Sequence, residues 1–590
     1  MRSLQHGRIL QVTHPLLLRG MWTMVKMRYV PAVVGSAIWI CVLSGCGGGG
    51  NTRNTAPPLT ITTSTLPNAI VGAAYDQTLA ATGGIGPFAW SASSGSLPAG
   101  LSLDSNSGKI SGTPAGPSGT ANFTVAVNDA GSPAAKAMAN LTIVVNGVST
   151  GLLKGNYAFL FSGYFNGYFT GAGSFVADGA GNISNGIVDT NGLTGPTNDT
   201  FTGSYSIDSD NLGTMHWVFT GSGGGESTYA VALSSDGNAR FIQYDSRGVQ
   251  GSGLIKMQDT SAFSAGNITG TYAYGLVGID GSKANRMAMI GEFQSDGVSN
   301  LNNGLADINV NGTNSSSIPV TGTYSVASSG RGTVALNVSG LGTMNAAFYI
   351  VSGTELFLMD TDAVSGGHPL MSGDALQQTG AGSFSLASLS GTSVLEADGA
   401  SSTPLTSAVS LGLATVTAPG TLNLNLDVNS GGTLSTSGEQ LTYSVASNGR
   451  VNMTGTNAPV LYLVNQNQAF VLFPDSMATF GNLEPQSSGP FTDASFSGMY
   501  LGASITLGSP GSTEAGALSA DGNGNVMQTF DTSDGMHLAQ GTQSLTYTTA
   551  SNGRTLMTSQ GSTVGISYIV SPARVATIGS SNPSLAISEH

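Results

Sequence analysis

The sequence predicts an all-β protein, and three features of its composition and patterning support this fold class. Charged residues make up 8% of the 590 residues, whereas an average globular protein has about 25%, so too few Glu, Lys and Arg are present to solvate helix faces. The 85 Gly residues follow no fixed three-residue period, which excludes collagen, and 40% hydrophobic residues exclude a disordered chain. Alternating apolar and polar residues between Gly-rich turns then favour antiparallel sheets.

The N-terminus has the layout of an export signal. Lys26 and Arg28 precede an apolar run at 29–43, which is shorter than the roughly 20 residues that span a bilayer as a helix. The sequence Leu-Ser-Gly-Cys at 43–46 resembles the bacterial lipobox, in which the signal is cleaved before the Cys and its sulfur carries a diacylglycerol. The resemblance implies a signal peptide at 1–45, with Met21 as an alternative start, and a lipidated Cys46 that begins a tether at 46–58. An ordinary signal peptide with an incidental Cys is the alternative.

The lipobox interpretation predicts an exported bacterial protein that a lipid anchor holds in the outer membrane or at the cell surface. Residues 1–45 contain five basic residues and no acidic one, so the mature chain has 13 basic and 32 acidic residues, a net charge of −19. Such a chain has no basic stripe for phosphate contacts, and we expect no nucleic-acid partner. Both cysteines, Cys41 and Cys46, lie near the N-terminus, which excludes disulfides and thiolate metal sites from the remaining chain.

The first predicted folded domain is a β-sandwich at 59–147, where short alternating runs such as 123–127 are separated by turn residues. Trp90, the run Gly-Ser-Leu-Pro-Ala-Gly-Leu at 95–101 and the run Gly-Lys-Ile-Ser-Gly-Thr-Pro at 108–114 resemble the immunoglobulin-like, cadherin-like domain of bacterial surface proteins. The resemblance implies that Trp90 fills the core and that the domain is a non-catalytic spacer or interaction module.

The rest of the chain contains four copies of another unit, which we assign to no family. Segment 173–191 aligns without gaps with segment 291–309, and nine of the nineteen positions are identical. Three further sets of residues recur in order: an opening aromatic (Tyr157, Tyr272, Phe384, Tyr500), an Asp-Gly pair (Asp178, Asp296, Asp398, Asp521) and a Tyr that precedes a turn (Tyr205, Tyr324, Tyr443, Tyr547). We place the units at 151–260, 266–379, 380–487 and 491–590.

The first unit shows eight strand-like runs, at 156–162, 172–177, 182–190, 201–207, 214–219, 228–233, 239–244 and 251–257. Asp178-Gly179 and Asp236-Gly237 lie between consecutive runs and are strong hairpin signals. Eight sequential strands predict a closed up-and-down barrel of lipocalin-like size, with an open sandwich as the alternative. The third unit differs, since an Asn-rich segment is missing after Asp398-Gly399 and Thr403-Pro404 interrupts the strand there.

Two sets of polar residues could carry chemistry. The cluster Asp178, Asn182, Asn185, Asp189 and Asn191 recurs in the second unit, but its spacing is not that of an EF-hand. We interpret it as turn residues that bind backbone groups, with calcium or a polar ligand as alternatives. Arg331, Arg450 and Arg554 follow Gly in a shared turn and either clamp a carboxylate or blunt a strand edge.

Tyr164, Phe165 and Tyr168 are the predicted ligand contacts, because aromatic side chains at a loop tip suit stacking on sugar rings. No HExxH, nucleophile elbow or paired metal-binding His is present, so we expect no catalytic residue, cofactor or metal. The sequence predicts adhesive or ligand-binding modules for a glycan, cell-envelope or protein ligand. The alternatives are a purely structural envelope protein and a polysaccharide-active hydrolase, whose paired carboxylates would be Asp189 with Asp245 or Asp307 with Asp360.

Overall fold

The computed structural model of the protein describes residues 57–590 except 68, 71–74, 115–118, 147–152, 222–223, 282–284, 366–367, 403–404 and 506–511. In these residues the only helices are four 3-10 turns, at Thr260–Ala262, Ala265–Asn267, Leu386–Ser388 and Asp493–Ser495. None of the described helices is long and apolar enough to cross a membrane. The predicted all-β fold class is confirmed. The signal peptide, Cys46 and all but the last two residues of the tether lie outside the described residues, as do Thr403 and Pro404.

The first domain contains nine strands: Thr60–Ile61 (β1), Ala69–Ile70 (β2), Tyr75–Thr78 (β3), Ala81–Thr82 (β4), Ala89–Gly95 (β5), Leu101–Leu103 (β6), Lys109–Gly112 (β7), Gly119–Asn128 (β8) and Lys136–Asn146 (β9). They form a sandwich of a four-stranded sheet in the order β2-β9-β8-β5 and a three-stranded sheet in the order β3-β7-β6, with a short β1-β4 pair. Trp90 is buried in its core with Phe123 and Ile143. Gly108 has a φ of +70°, and a Cβ there would lie 2.8 Å from the Trp90 indole, so only glycine fits.

Four closed eight-stranded barrels follow, and in each the strands pair in chain order. The predicted up-and-down barrels are therefore confirmed over the open sandwich. Barrel 1 contains Lys154–Tyr164 (β10), Tyr168–Asp178 (β11), Asn182–Asn191 (β12), Thr197–Ile207 (β13), Leu212–Phe219 (β14), Gly225–Leu233 (β15), Ala239–Gln243 (β16) and Gln250–Met257 (β17). Barrel 2 contains Thr269–Ile279 (β18), Arg286–Asp296 (β19), Asn300–Val310 (β20), Thr313–Val326 (β21), Arg331–Val338 (β22), Gly342–Ser352 (β23), Glu355–Asp360 (β24) and Leu370–Gln377 (β25).

The last two barrels have the same topology. Barrel 3 contains Thr392–Ser402 (β26), Leu405–Ala418 (β27), Thr421–Ser430 (β28), Thr433–Val445 (β29), Arg450–Thr454 (β30), Val460–Asn465 (β31), Gln468–Leu472 (β32) and Phe480–Pro485 (β33). Barrel 4 contains Ser497–Ser504 (β34), Thr513–Asp521 (β35), Asn525–Ser533 (β36), Leu538–Thr549 (β37), Arg554–Ser559 (β38), Ser562–Ser571 (β39), Arg574–Gly579 (β40) and Leu585–Glu589 (β41).

Asp-Gly hairpins join the second and third strands in three of the four barrels. The Asp178 carboxylate accepts hydrogen bonds from the backbone N–H groups of Ala180 and Asn182, and Asp296 and Asp521 make similar turns. The prediction that Asp398-Gly399 forms the corresponding hairpin turn in the third unit is wrong, because this pair lies inside strand β26.

The alignment of the third unit by its sequence motifs is therefore out of register with the strands of barrel 3. Phe384 precedes β26, just as Phe491 precedes β34, and the residue of barrel 3 that corresponds to Tyr272 and Tyr500 is Ser393. With the correct register, the third strand β28 carries Asp427 and Asn429, so barrel 3 keeps the polar segment that the sequence alignment misses.

The four barrels pack against one another and close into a ring. At every junction the first two strands of one barrel contact the sixth and seventh strands of the next, and the fourth barrel contacts the first in the same way. Ala158 and Ala172 pack on Tyr349 of barrel 2, and Ala503 and Ala515 of barrel 4 pack on barrel 1. A head-to-tail contact of this kind forms a ring when its rotation closes, which here happens after four copies.

Candidate functional site

Side chains fill the lumens of the first three barrels. In barrel 1, Trp217 lies at the centre of an aromatic cluster, with ring centroids 4.7 Å from Phe159 and 4.5 Å from both Phe201 and Tyr229. Tyr and Met residues fill barrel 2, and Leu residues fill barrel 3. A filled lumen is the packed core of a small barrel, so these three barrels leave little room for a ligand inside.

The fourth barrel is hollow. Its strand registers, compared with those of barrel 1, show that five aromatic side chains of barrel 1 are replaced by small or polar residues. The replacements are Gly502 for Phe159, Ser504 for Phe161, Gln543 for Phe201, Gly565 for Tyr229 and Thr577 for Phe241. These residues line a cavity of about 820 Å³, which falls within the usual range for small-molecule sites.

One end of this lumen is closed by aromatic side chains. Phe496 stacks on Tyr500 with ring centroids 5.2 Å apart and meets the Tyr547 ring edge-on at 5.0 Å. The Tyr547 hydroxyl donates hydrogen bonds to the backbone carbonyls of Asp493 and Phe496. The open end lies among residues of two neighbouring barrels, with Tyr164 and Gln250 of barrel 1 and Thr406 and Ser407 of barrel 3.

A chain of polar side chains runs into the cavity. Gln543 Nε2 donates to Gln528 Oε1 at 2.8 Å, Gln528 Nε2 donates to Glu514 Oε1, and the Glu514 backbone N–H donates to Ser504 Oγ at 2.8 Å. Glu514 is the one charged residue among the described residues that line the cavity. Burial raises the pKa of Glu514 above its ordinary value, and the hydrogen bond from Gln528 opposes this rise.

The Arg residues that the sequence singles out hold neighbouring barrels together. Arg331 Nε and Nη2 donate to the Asp189 carboxylate at 2.7 and 2.8 Å, and the Tyr349 hydroxyl donates to the same carboxylate at 2.7 Å. We call this three-residue arrangement the clasp. The other two clasps are Asp307 with Arg450 and Tyr462, and Asp427 with Arg554 and Tyr568.

The predicted polar cluster is therefore divided between two structural roles. Asp178 and Asn182 form a turn, whereas Asp189 belongs to a clasp and Asn191 Nδ2 donates to the backbone carbonyls of Asp360 and Asp362 in barrel 2. Two of the four carboxylates named for the hydrolase alternative, Asp189 and Asp307, are each 2% exposed and bound to Arg. In the described part of the chain, no group of three His, Cys, Asp or Glu side chains converges as for a metal ion.

The junction that closes the ring lacks a clasp. Asp531 of barrel 4 occupies the place of Asp427, but the places of Arg331 and Tyr349 are taken in barrel 1 by Leu212 and Ala232. Asp531 instead lies near Asp210 and forms hydrogen bonds with Gln540 and with Tyr244 of barrel 1. Burial raises the pKa of Asp531 to about 6, and the two hydrogen bonds oppose this rise. Burial together with the charges of Asp210 and Asp531 raises the pKa of Asp208 to about 7.

The three predicted ligand contacts have different surroundings. Tyr164 lies at the mouth of the barrel 4 cavity. Tyr168 is 7% exposed and packs against Ile279 and Leu370 of barrel 2, whereas Phe165 is 52% exposed. A ligand contact by these residues stays a prediction.

The cavity residues were missed because each is unremarkable by itself. Their signal lies in the alignment of the repeats, where Tyr157 and Tyr500 already match and Phe159 therefore falls opposite Gly502. Without knowledge of which residues face inwards, that difference does not indicate a cavity.

One comparison with known proteins supports the predicted fold of the first domain. Residues 57–146 match the model of a family described as "Putative Ig domain". No curated protein matches the chain. Among solved structures, the chain is similar to protocadherin gamma B2 extracellular cadherin domains 3–6, with 10% identity and a TM-score of 0.14 over 82% of this chain and 98% of that one. The sequence-predicted immunoglobulin-like domain is confirmed by the family match.

Proposed function

We propose that the protein is exported, anchored at the cell surface through a lipid on Cys46, and binds a small ligand in the lumen of its fourth barrel without turning it over. One observation carries the binding proposal: the described residues of barrel 4 line a cavity of about 820 Å³ that opens beside barrels 1 and 3, whereas side chains fill the lumens of the other three barrels. The lipobox-like sequence at 43–46 supports the anchor. Immunoglobulin-like domains are typically non-catalytic, so residues 57–146 suit a spacer between membrane and ring.

The loss of stability that an unfilled lumen causes supports a functional role for the cavity. Replacing buried Phe or Trp with small residues costs about 3–5 kcal/mol at a single site, and barrel 4 differs from barrel 1 at five aromatic positions. Barrel 4 keeps its contacts with barrel 3, because Tyr568 and Ile566 pack on barrel 3 and Arg554 binds Asp427. A ligand site is a physical reason to keep the lumen open.

The test is to fill the cavity with the residues of barrel 1. A Cβ at Gly565 would meet only the flexible end of Met557 at 3.0 Å, with all other atoms beyond 3.3 Å, so Gly565→Tyr and Thr577→Phe are suitable variants. Thr548→Phe, on the exposed outer face of β37, is the matched control. Detergent-solubilised full chain is screened by ligand-observed NMR against a library of small polar compounds and short oligosaccharides.

We expect hits that bind the wild type and Thr548→Phe but not the cavity-filled variants. Hits that survive filling would place the binding site elsewhere and overturn the proposal. Absence of any hit would favour the purely structural alternative, and chemical conversion of a hit would favour the hydrolase.

A further inference from the structure

The Glu514 carboxylate lies in the cavity with a hydrogen bond from Gln528 but with no cationic side chain in the described lining. We propose that it binds the ammonium group of the ligand, so that the fourth barrel selects small primary amines with an apolar body and rejects anions. This inference rests on the proposed function, since it names the ligand class of the same cavity.

Glu514 differs from five other carboxylates packed within the ring, each of which binds a cation of the protein. Asp189, Asp307 and Asp427 each bind an Arg, Glu355 binds Lys256, and Glu396 binds Arg574. The described lining of the cavity contains no Lys, Arg or His. Residues 506–511, which precede β35, read Thr-Leu-Gly-Ser-Pro-Gly and add no cation. A ligand cation would supply to Glu514 the kind of charge partner that the protein itself supplies to these five carboxylates.

Glu514 has hydrogen-bonding capacity that its described contacts do not use. An ionised carboxylate has two acceptor oxygens and about four lone-pair sites, and the described contacts use only Oε1, through Gln528. An ammonium group has three donors and no acceptor, so it matches the remaining sites on Glu514. An anionic ligand would place like charges together in a partly desolvated space, which is unfavourable.

The part of the cavity next to the Glu514 carboxylate has an apolar wall. Leu518, Leu545 and Met557 form an apolar wall deeper in the lumen, and Ser588 adds a hydroxyl to the lining. A ligand with its ammonium group on Glu514 can place a chain of several carbon atoms against this wall. This arrangement favours amines with an apolar body over inorganic or fully hydrated cations.

The test uses three probes of equal length and different charge: hexylamine, 1-hexanol and hexanoate. Their dissociation constants for the detergent-solubilised full chain are measured by ligand-observed NMR at pH 8. Glu514→Gln keeps the size and the hydrogen bond with Gln528 while removing the charge. Glu226→Gln, on the outer side of barrel 1 where Glu226 pairs with the half-exposed Arg247, is the matched charge control.

We expect hexylamine to bind about ten- to a hundredfold more tightly than 1-hexanol, as for a charge-assisted hydrogen bond over a neutral contact, and hexanoate not to bind. Glu514→Gln should remove this preference without changing 1-hexanol binding, and Glu226→Gln should leave all three probes unchanged. Affinity for hexylamine should fall in acid, as Glu514 takes up a proton.

Equal binding of the three probes, or an unchanged preference in Glu514→Gln, would overturn the inference. If Gly565→Tyr abolished that binding, the cavity would still be a ligand site and the proposed function would stand. Failure of all three probes to bind would also overturn the amine assignment, while the library screen decides the proposed function separately.

Discussion

The clasp between barrels 2 and 3 offers the sharpest test of how the ring is held together. Arg450 Nε and Nη2 each donate to the Asp307 carboxylate at 2.7 Å, and the Tyr462 hydroxyl donates to it at 2.8 Å. The Arg450 side chain is 12% exposed and that of Asp307 is 3% exposed. In the other two clasps the Arg side chain is 27% and 28% exposed, so this clasp is the most shielded from water.

Arg450→Met keeps the apolar stem of the side chain and removes both charge-assisted hydrogen bonds. Asp307 then stays buried with the Tyr462 hydroxyl and the Ser317 backbone N–H but without a cation. Breaking one partner of a buried pair costs about 3–5 kcal/mol, and replacing both partners with apolar residues is often neutral. We therefore expect a loss of that size for Arg450→Met. The Asp307→Leu/Arg450→Met double variant should recover part of it, because it removes the unpaired charge but leaves the Tyr462 hydroxyl and the Ser317 N–H without their acceptor.

The measurement is hydrogen exchange by mass spectrometry, because a chain of five domains does not have one two-state free energy of unfolding. The quantity compared is the free energy of local opening of Val460–Asn465 and Gln468–Leu472, the barrel 3 strands at this junction. Arg247→Met is the control, since the Arg247–Glu226 pair is half exposed and should contribute less than about 1 kcal/mol.

Two results would refute this reasoning. One is a loss in Arg450→Met that is no larger than the loss in Arg247→Met. The other is a double variant that is less stable than Arg450→Met, because the buried carboxylate could then not be the cause of the loss. We also expect a smaller loss from the corresponding Arg331→Met and Arg554→Met changes, since water already reaches those guanidinium groups.

Three further predictions follow from the ring-closing junction and the anchor. Burial raises the pKa of Asp208 from 3.8 to about 7, so the free energy of local opening at the ring-closing junction should fall by up to about 4 kcal/mol as the pH rises from about 4 to 7. Hydrogen exchange across this range should show the fall, and Asp208→Asn should flatten it. Leu212→Arg with Ala232→Tyr gives Asp531 the partners of a clasp and should raise protection from exchange at this junction, an increase that Asp531→Asn should cancel. Cys46→Ser should release the protein from membranes and abolish incorporation of labelled fatty acid, and unchanged membrane retention would contradict lipidation.

Local signals explain how far the sequence predicts the fold. Residue alternation and Asp-Gly turns act within a few residues, and all eight runs predicted in the first unit overlap strands of barrel 1. The same reliance on local motifs caused the error in barrel 3. Asp398-Gly399 is a turn signal by sequence, but Asp398 pairs with the buried Arg286 of barrel 2, a contact across 112 residues.

The ring and the candidate site depend on contacts that no local pattern contains. The sequence singles out Asp189 and Arg331 separately, but their pairing spans 142 residues and requires two closed barrels in contact. Glu514 is likewise ordinary in sequence. Its importance comes from the absence of a cation in the described lining, which can be recognised only once the strands of barrel 4 have been closed around it.

The alternation of β-strands explains how one copy of a repeat can become hollow and still keep its place in the ring. In strand β35, Ala515 faces outwards and packs on barrel 1, whereas its neighbours Glu514 and Gly516 line the cavity. Successive side chains point to opposite faces, so substitutions in the lumen leave the junction surface intact. The junctions between the barrels and the lumen of each barrel can therefore change independently. Barrel 4 retains the outer alanines that its junction with barrel 1 requires, while its lumen has lost the aromatic residues that fill barrel 1.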